Sequence, residues 1–215
     1  MNAIFWDLDD TLLATLPARM RALAHAYETC LGSRTDPLAL WRSHRGGSLE
    51  SLGERLMGRD GHIFAKTYRE HYFGARCLAE AFDGVAAVLG EMAVAGVRHA
   101  VVTSKLAWTA TEELTEAGLL HFFETVVGCD DTDCHKPDPE PVYAAMQRLC
   151  IDDAGDILFV GDSPADIWAA RNAGCRSIAA LWGTIDAELV LDAAPDFRAA
   201  TPAELLAILR AEVGA

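Results

Sequence analysis

No apolar run in this 215-residue sequence reaches the roughly 18 residues that a membrane-spanning helix requires, so no membrane role is expected. Positive charge is scarce as well. Only 18 Lys and Arg stand against 32 Asp and Glu, a formal net charge of -14. Nucleic acids and anionic membranes select basic faces, so neither is expected as a main partner. The six cysteines (Cys30, Cys77, Cys129, Cys134, Cys150 and Cys175) have neither the paired spacing of a zinc site nor the density of a small disulfide scaffold. They read as reduced, mostly buried thiols. The sequence shows no basic region followed by an apolar signal core at its start, which together with the thiols gives a cytoplasmic location as the expectation. It also lacks internal repeats, low-complexity linkers and any tryptophan stripe on which nucleobases could stack; Trp182 most simply packs at a strand end.

What the chain does contain is 51% hydrophobic residues, enough for a substantial core, at a length that suits one main domain carrying an insertion. Apolar, partly β-branched runs recur at AIFW (3–6), HAVVT (99–103), ETVVG (124–128), ILFVG (157–161) and SIAALW (177–182). Helix-like segments lie between or after them at 84–96, 107–118, 139–150 and 163–174, and another closes the chain. Such alternation predicts βαβ units and a buried parallel sheet. The alternation fails from 15 to 82. There Leu16, Met20, Leu23, Tyr27 and Leu31, then Leu49, Leu52 and Leu56, recur at helical spacing. The expected organisation is an α/β core of residues 1–14 and 83–215 with an all-helical insertion over 15–82.

Charge follows the same division. Between Ala14 and Glu80 there are ten Lys and Arg against seven Asp and Glu, while the remainder holds eight against twenty-five. A basic module beside an acidic one suits an anionic ligand held together with a metal ion. In a parallel α/β sheet ligands bind beyond the carboxyl ends of the strands. Asp7 ends the first run, Thr103 and Ser104 end the second, and Asp162 follows ILFVG. Lys136 lies in the loop CHKPDPEP. Asp7, Asp9 and Asp10 crowd together in DLDDTL, where their mutual repulsion is costly unless a cation or a reaction requires it.

The segments DLDDTL (7–12), VVTSK (101–105), HKPDPEP (135–141) and VGDSPADIWAARNAG (160–174) resemble, in order and spacing, the four motifs of the haloacid dehalogenase superfamily. The helical insertion resembles that superfamily's C1 cap. HKPDPEPVYAAM and GDSPADIWAARNAGCRSIAALWGT look most like phosphoglycolate phosphatases and their pyrophosphatase relatives. The resemblance implies a Rossmann-like core and a Mg²⁺ ion on the carboxylates of Asp7 and Asp162 and the main-chain carbonyl of Asp9. It further implies that Asp7 is a nucleophile forming an aspartyl-phosphate and that Asp9 is the general acid and base. Thr103, Ser104 and Lys136 would contact the phosphoryl oxygens. Asp166 and Ser163 would stand behind the metal, although Ser163, Pro164 and Asp166 also make a good helix start, and Thr103 with Ser104 also fit a helix cap.

Two positions depart from the pattern. Trp6 replaces the usual Phe before the nucleophile, and Asp10 stands where Gly is commonest, at a position an Asp can fill because it tolerates unusual backbone angles. In the insertion, SHRGGS (43–48) is the best candidate for a substrate loop. There His44 and Arg45 could meet an anion and Gly46 could allow close backbone approach; Arg19, Arg21 and Arg42 are weaker candidates. The implied activity is hydrolysis of a small phosphorylated metabolite, 2-phosphoglycolate first, by a monomer or homodimer. Alternatives are pyrophosphate, sugar phosphate or nucleotide hydrolysis, a phosphomutase, or a non-catalytic regulator that binds a phosphorylated ligand. A dehalogenase is disfavoured because those relatives lack the carboxylate that Asp9 supplies.

Overall fold

The computed structural model describes residues 1–44, 49–75 and 79–214. These divide into two compact units, Met1–Ala14 with Glu80–Ala215, and Thr15–Ala79.

The larger unit is built on six parallel strands: β1 (Ala3–Trp6), β4 (Arg98–Val102), β5 (Thr125–Val127), β6 (Ile157–Gly161), β7 (Arg176–Ala180) and β8 (Phe197–Ala199), in the spatial order β5-β4-β1-β6-β7-β8. A two-stranded antiparallel ribbon, β2 (Leu13–Ala14) with β3 (Glu80–Ala81), stands apart from this sheet. β1, β4 and β6 are apolar at nearly every position because both faces of the sheet are covered. Ile4, Trp6, Val101, Leu158 and Val160 project into one core with α5 (Val85–Val94), α6 (Ala107–Glu116) and α10 (Pro202–Val213). Ala3, Phe5, Ala100, Val102, Ile157 and Phe159 project into the other with α7 (Glu140–Leu149) and α8 (Pro164–Ala173). The short α9 (Ala187–Asp192) adds Val190 to a small cluster with Ile167 and Ala179. The arrangement is the α/β core expected from the alternating pattern.

The smaller unit is helical over its described residues: α1 (Leu16–Leu31), α2 (Pro37–Arg42), α3 (Leu49–Met57) and α4 (Gly61–Ala75). Leu23, Ala26, Leu40, Leu52 and Phe64 form its buried centre, using the helical spacing visible in the sequence. The expected insertion ran to residue 82. Instead Glu80 and Ala81 pair with Ala14 and Leu13 and Phe82 N–H donates to the Leu12 carbonyl, so these three residues belong with the core. β8 is not visible in the sequence, since three residues preceded by Pro195 and Asp196 carry no readable alternation.

The Trp6 substitution is accommodated by a polar contact. Its indole Nε1 donates to Nδ1 of His99, 3.1 Å away on the neighbouring strand, so the buried N–H is satisfied. His99 is itself buried, and its Nε2 has no hydrogen-bond partner of normal geometry. Burial pushes its imidazole down to about 4, and the Leu89 carbonyl and Glu124, which pull the other way, do not offset it. Between pH 6.5 and 4 the unfolded imidazole therefore binds a proton that the folded one refuses. Stability is fully present above this window and falls as pH is lowered through it, by up to ~3 kcal/mol. Urea denaturation of His99→Gln at a series of pH values is expected to show a smaller loss between pH 7 and 5 than the parent; equal losses would clear His99 of the effect.

Candidate active site

Asp7 is the first residue beyond β1, and its N–H extends the ladder by donating to the Val160 carbonyl at 2.9 Å. Thr103 is the first beyond β4 and donates in the same way to Val127 at 2.9 Å. Asp162 is the first beyond β6. From β1 the chain goes on to β4 and β5 on one side, whereas from β6 it goes on to β7 and β8 on the other. The gap between β1 and β6 is thus a topological switch point, the usual place for a ligand in such a sheet. Parallel pairing brings the polar residues ending each apolar run to this one rim.

Lys136 reaches the rim from the loop before α7. Its Nζ donates to Asp7 Oδ1 at 2.6 Å, Asp166 Oδ1 at 2.6 Å and the Val102 carbonyl at 3.1 Å. Asp166 is fully buried in the first turn of α8, and its other oxygen, Oδ2, accepts the N–H and the hydroxyl of Ser163 at 3.0 and 2.7 Å. Asp166 thus caps its helix and binds the lysine at once. A Cβ on Gly161 would lie 2.3 Å from that of Asp166, so only glycine lets β6 pass this close to α8.

Asp7, Asp162 and Asp166 each offer an oxygen within 4.8 Å of the others. Burial drives the Asp7 carboxyl up to about 7; Asp166 and Asp9 add to the rise and Lys136 opposes it. Burial alone would lower the Lys136 ammonium, but Asp166 and Asp7 outweigh it and hold it raised. Asp166, which helps to hold the Lys136 ammonium raised, also adds to the rise that burial imposes on Asp7, because a single ammonium does not balance the carboxylates around it. A second group of metal-type donors, Cys134, Asp138 and Glu140, faces solvent, and Glu140 already accepts the Cys134 N–H at 2.6 Å.

Residues 8–13 form a tight loop in which the Leu8 carbonyl accepts from Leu12 and Leu13, both at 3.0 Å. Asp10 takes a left-handed conformation there (φ 58), as its residue type permits. Its carbonyl lies where a Cβ on Gly183 would come within 1.9 Å, and Trp182 Nε1 donates to the Thr11 carbonyl at 3.0 Å. Trp182 is therefore a clamp on this loop as well as a packing residue.

Nothing in the sequence around Lys105 points to a role for it. Its Nζ donates to Asp9 Oδ1 at 2.8 Å and to Glu113 Oε2 at 2.5 Å. Burial would lower this ammonium, yet Asp9 and Glu113 hold it raised. The signal was present in α6, where Thr109, Ala110, Glu113 and Leu114 share the buried face; a carboxylate on an apolar stripe requires a partner. Thr103 Oγ1 accepts the Lys105 N–H at 3.2 Å, and a hydroxyl oxygen that accepts can still donate its proton. Ser104 on the same turn is exposed. Arg45 and Gly46 lie outside the described residues.

Residues 4–180 match the family model of haloacid dehalogenase-like hydrolases. A phosphoglycolate phosphatase of Yersinia pseudotuberculosis is 30% identical, covering 96% of this chain and 92% of its own. A pyrophosphatase, PpaX, of Bacillus velezensis is 31% identical, covering 97% and 96%. Among solved structures, that of a predicted phosphoglycolate phosphatase from Haemophilus somnus shares 25% identity at a TM-score of 0.88, covering 97% of this chain and 98% of that one. From the family match over most of its length and relatives that align nearly end to end, the chain belongs to the haloacid dehalogenase-like hydrolases.

Proposed function

We propose that the chain is a Mg²⁺-dependent phosphatase that takes the phosphoryl group of a small phosphomonoester onto Asp7 and then passes it to water. One observation carries the reading: a buried ammonium bonded to both Asp7 and Asp166 at the switch point, with Asp162 alongside. The donor set fits a hard cation, being made of carboxylate oxygens with negative charge in excess. Asp166 has both oxygens engaged by Lys136 and Ser163, which favours Asp7 and Asp162 as the carboxylates that hold the ion, with Asp166 behind them. The Asp9 carbonyl joins them on the family resemblance. When bound, Mg²⁺ supplies positive charge that offsets the repulsion between a phosphate dianion and the carboxylates.

In this reading an Asp7 oxygen attacks phosphorus as the bond to the leaving oxygen breaks, and Asp9 gives that oxygen its proton. Asp9, now a carboxylate, then takes a proton from water as the water oxygen attacks the aspartyl-phosphate. The bond between phosphorus and Asp7 breaks, restoring the carboxylate and releasing inorganic phosphate. The Lys136 ammonium, whose three donors serve Asp7, Asp166 and the Val102 carbonyl, places positive charge beside the transferring oxygens and the Thr103 hydroxyl is a donor for them, the main contribution a protein makes to phosphoryl transfer. The substrate of first choice is 2-phosphoglycolate and the second is pyrophosphate, following the two kinds of relative that align over nearly the whole chain.

Asp7→Asn is expected to lower kcat by about 10³-fold or more with an unaltered circular dichroism spectrum, measured as phosphate release from p-nitrophenyl phosphate; normal turnover would refute the nucleophile assignment. Lys136→Met is expected to cost about 10²- to 10³-fold in kcat, and a change confined to KM would reduce it to a binding residue. Protein dialysed against EDTA should release no phosphate from 2-phosphoglycolate until Mg²⁺ is restored, and undiminished turnover in EDTA would remove the metal from the reading. Across a panel of phosphorylated metabolites, a higher kcat/KM for pyrophosphate would reverse the substrate order. Isomerised sugar phosphate without phosphate release would identify a mutase.

A further inference from the structure

We propose that Lys105, anchored by Glu113, is a positioning residue that fixes the Asp9 carboxylate for proton transfer at the leaving oxygen and at the attacking water. The inference rests on the reading of Asp9 as the proton donor and acceptor.

Asp9 lies in the loop after β1, outside the regular sheet. Proton transfer requires its oxygen to be placed to within a fraction of an ångström, and misplacement by about 1 Å can cost on the order of 10²-fold. Lys105 provides an external hold. By engaging Oδ1 at 2.8 Å, the ammonium sets the side-chain torsions of Asp9 and hence the direction of Oδ2. The lysine is in turn fixed through its main chain: its N–H donates to Thr103 Oγ1 at 3.2 Å, and its carbonyl accepts from Cys129 at 2.9 Å. Its side chain is largely buried. A Cβ on Gly128 would stand 2.7 Å from the Lys105 carbonyl oxygen, so this turn is packed tightly against the end of β5.

Glu113 makes the arrangement specific. A carboxylate between Ala110 and Leu114 on the buried face of α6 is costly where an apolar residue would serve the core. Its partner there is Lys105, at 2.5 Å. The same ammonium therefore has one fixed anchor in the core and one working contact at the rim. A lysine held on two sides in this way transmits the rigidity of α6 to a loop carboxylate that regular secondary structure does not hold.

The test compares the parent with Lys105→Met, Lys105→Arg and Glu113→Gln on two substrates. 2-Phosphoglycolate leaves as an alkoxide that must be protonated; p-nitrophenyl phosphate leaves as a stable phenolate that need not be. In Lys105→Met, kcat on 2-phosphoglycolate is expected to fall about 10- to 100-fold with KM within about threefold. On p-nitrophenyl phosphate the same variant should release one equivalent of phenolate per site nearly as fast as the parent and then turn over slowly, because only the water step still needs Asp9. Lys105→Arg should restore most of the loss, and Glu113→Gln should fall between the two. If the parent does not hydrolyse 2-phosphoglycolate, the burst alone decides.

Parental kinetics in Lys105→Met, equal losses on both substrates without a burst, or a rise in KM alone would each overturn the proposal; the last would make Lys105 a substrate contact. Should Lys105→Met give no cooperative melt, Glu113→Gln and Lys105→Arg are judged by the same criteria. Asp9→Asn separates the two levels of the reading. If it keeps parental kcat, the role of Asp9 fails and the inference with it, whereas an inactive Asp9→Asn beside a parental Lys105→Met refutes the inference alone.

Discussion

The ammonium of Lys136 lies buried between the carboxylates of Asp7 and Asp166, and neither side of that arrangement is tolerable alone. Two buried carboxylates without a cation would repel, and a buried ammonium without them would lose its charge. Even together they leave an anionic excess, which Asp162 increases. That surplus is a permanent demand for further positive charge, and it is the physical basis for reading the rim as a place where a divalent ion and a phosphate meet. Lys136 and Asp7 are 129 positions apart, so the chain must fold before the demand exists.

The parallel sheet satisfies that requirement economically. Because β1, β4 and β6 run in one direction and are buried on both faces, the first polar residue after each apolar run emerges at the same edge. A second polar group, Asp9 with Lys105 and Glu113, lies on the β4 side of that edge. Lys136 and Asp166 are fixed chiefly through α8 and its capping serine, and Lys105 and Glu113 through α6. The two carboxylates with distinct duties in the proposed chemistry therefore depend on different helices for their placement, an arrangement suited to giving them different environments.

Much of this was legible in the sequence, for identifiable reasons. Where an apolar run ended in a charged or hydroxyl residue, as at Asp7, Thr103 and Asp162, the strand end and the candidate site residue were read together. Asp10 was legible through its tolerance of the left-handed region. What escaped were features too short for a periodic pattern or dependent on side-chain reach. β2, β3 and β8 have two or three residues each. The Lys105–Glu113 contact requires knowing which face of α6 is buried, and the hydrogen bond from Trp6 to His99 requires the register of β1 on β4. In each case the missing information was tertiary.

The ribbon of Leu13–Ala14 with Glu80–Ala81 has a further meaning for how this chain tolerates change. Since Ala14 is paired directly with Glu80, the two ends of Thr15–Ala79 are held about one strand spacing apart, as the ends of any hairpin connection are. In conformational-entropy terms the sheet therefore experiences the whole helical unit as a loop, and closing a longer or shorter loop changes its cost only logarithmically. A change in the number of residues between Ala14 and Glu80 therefore adds little to the cost of closing the ribbon from which the rim's loop departs.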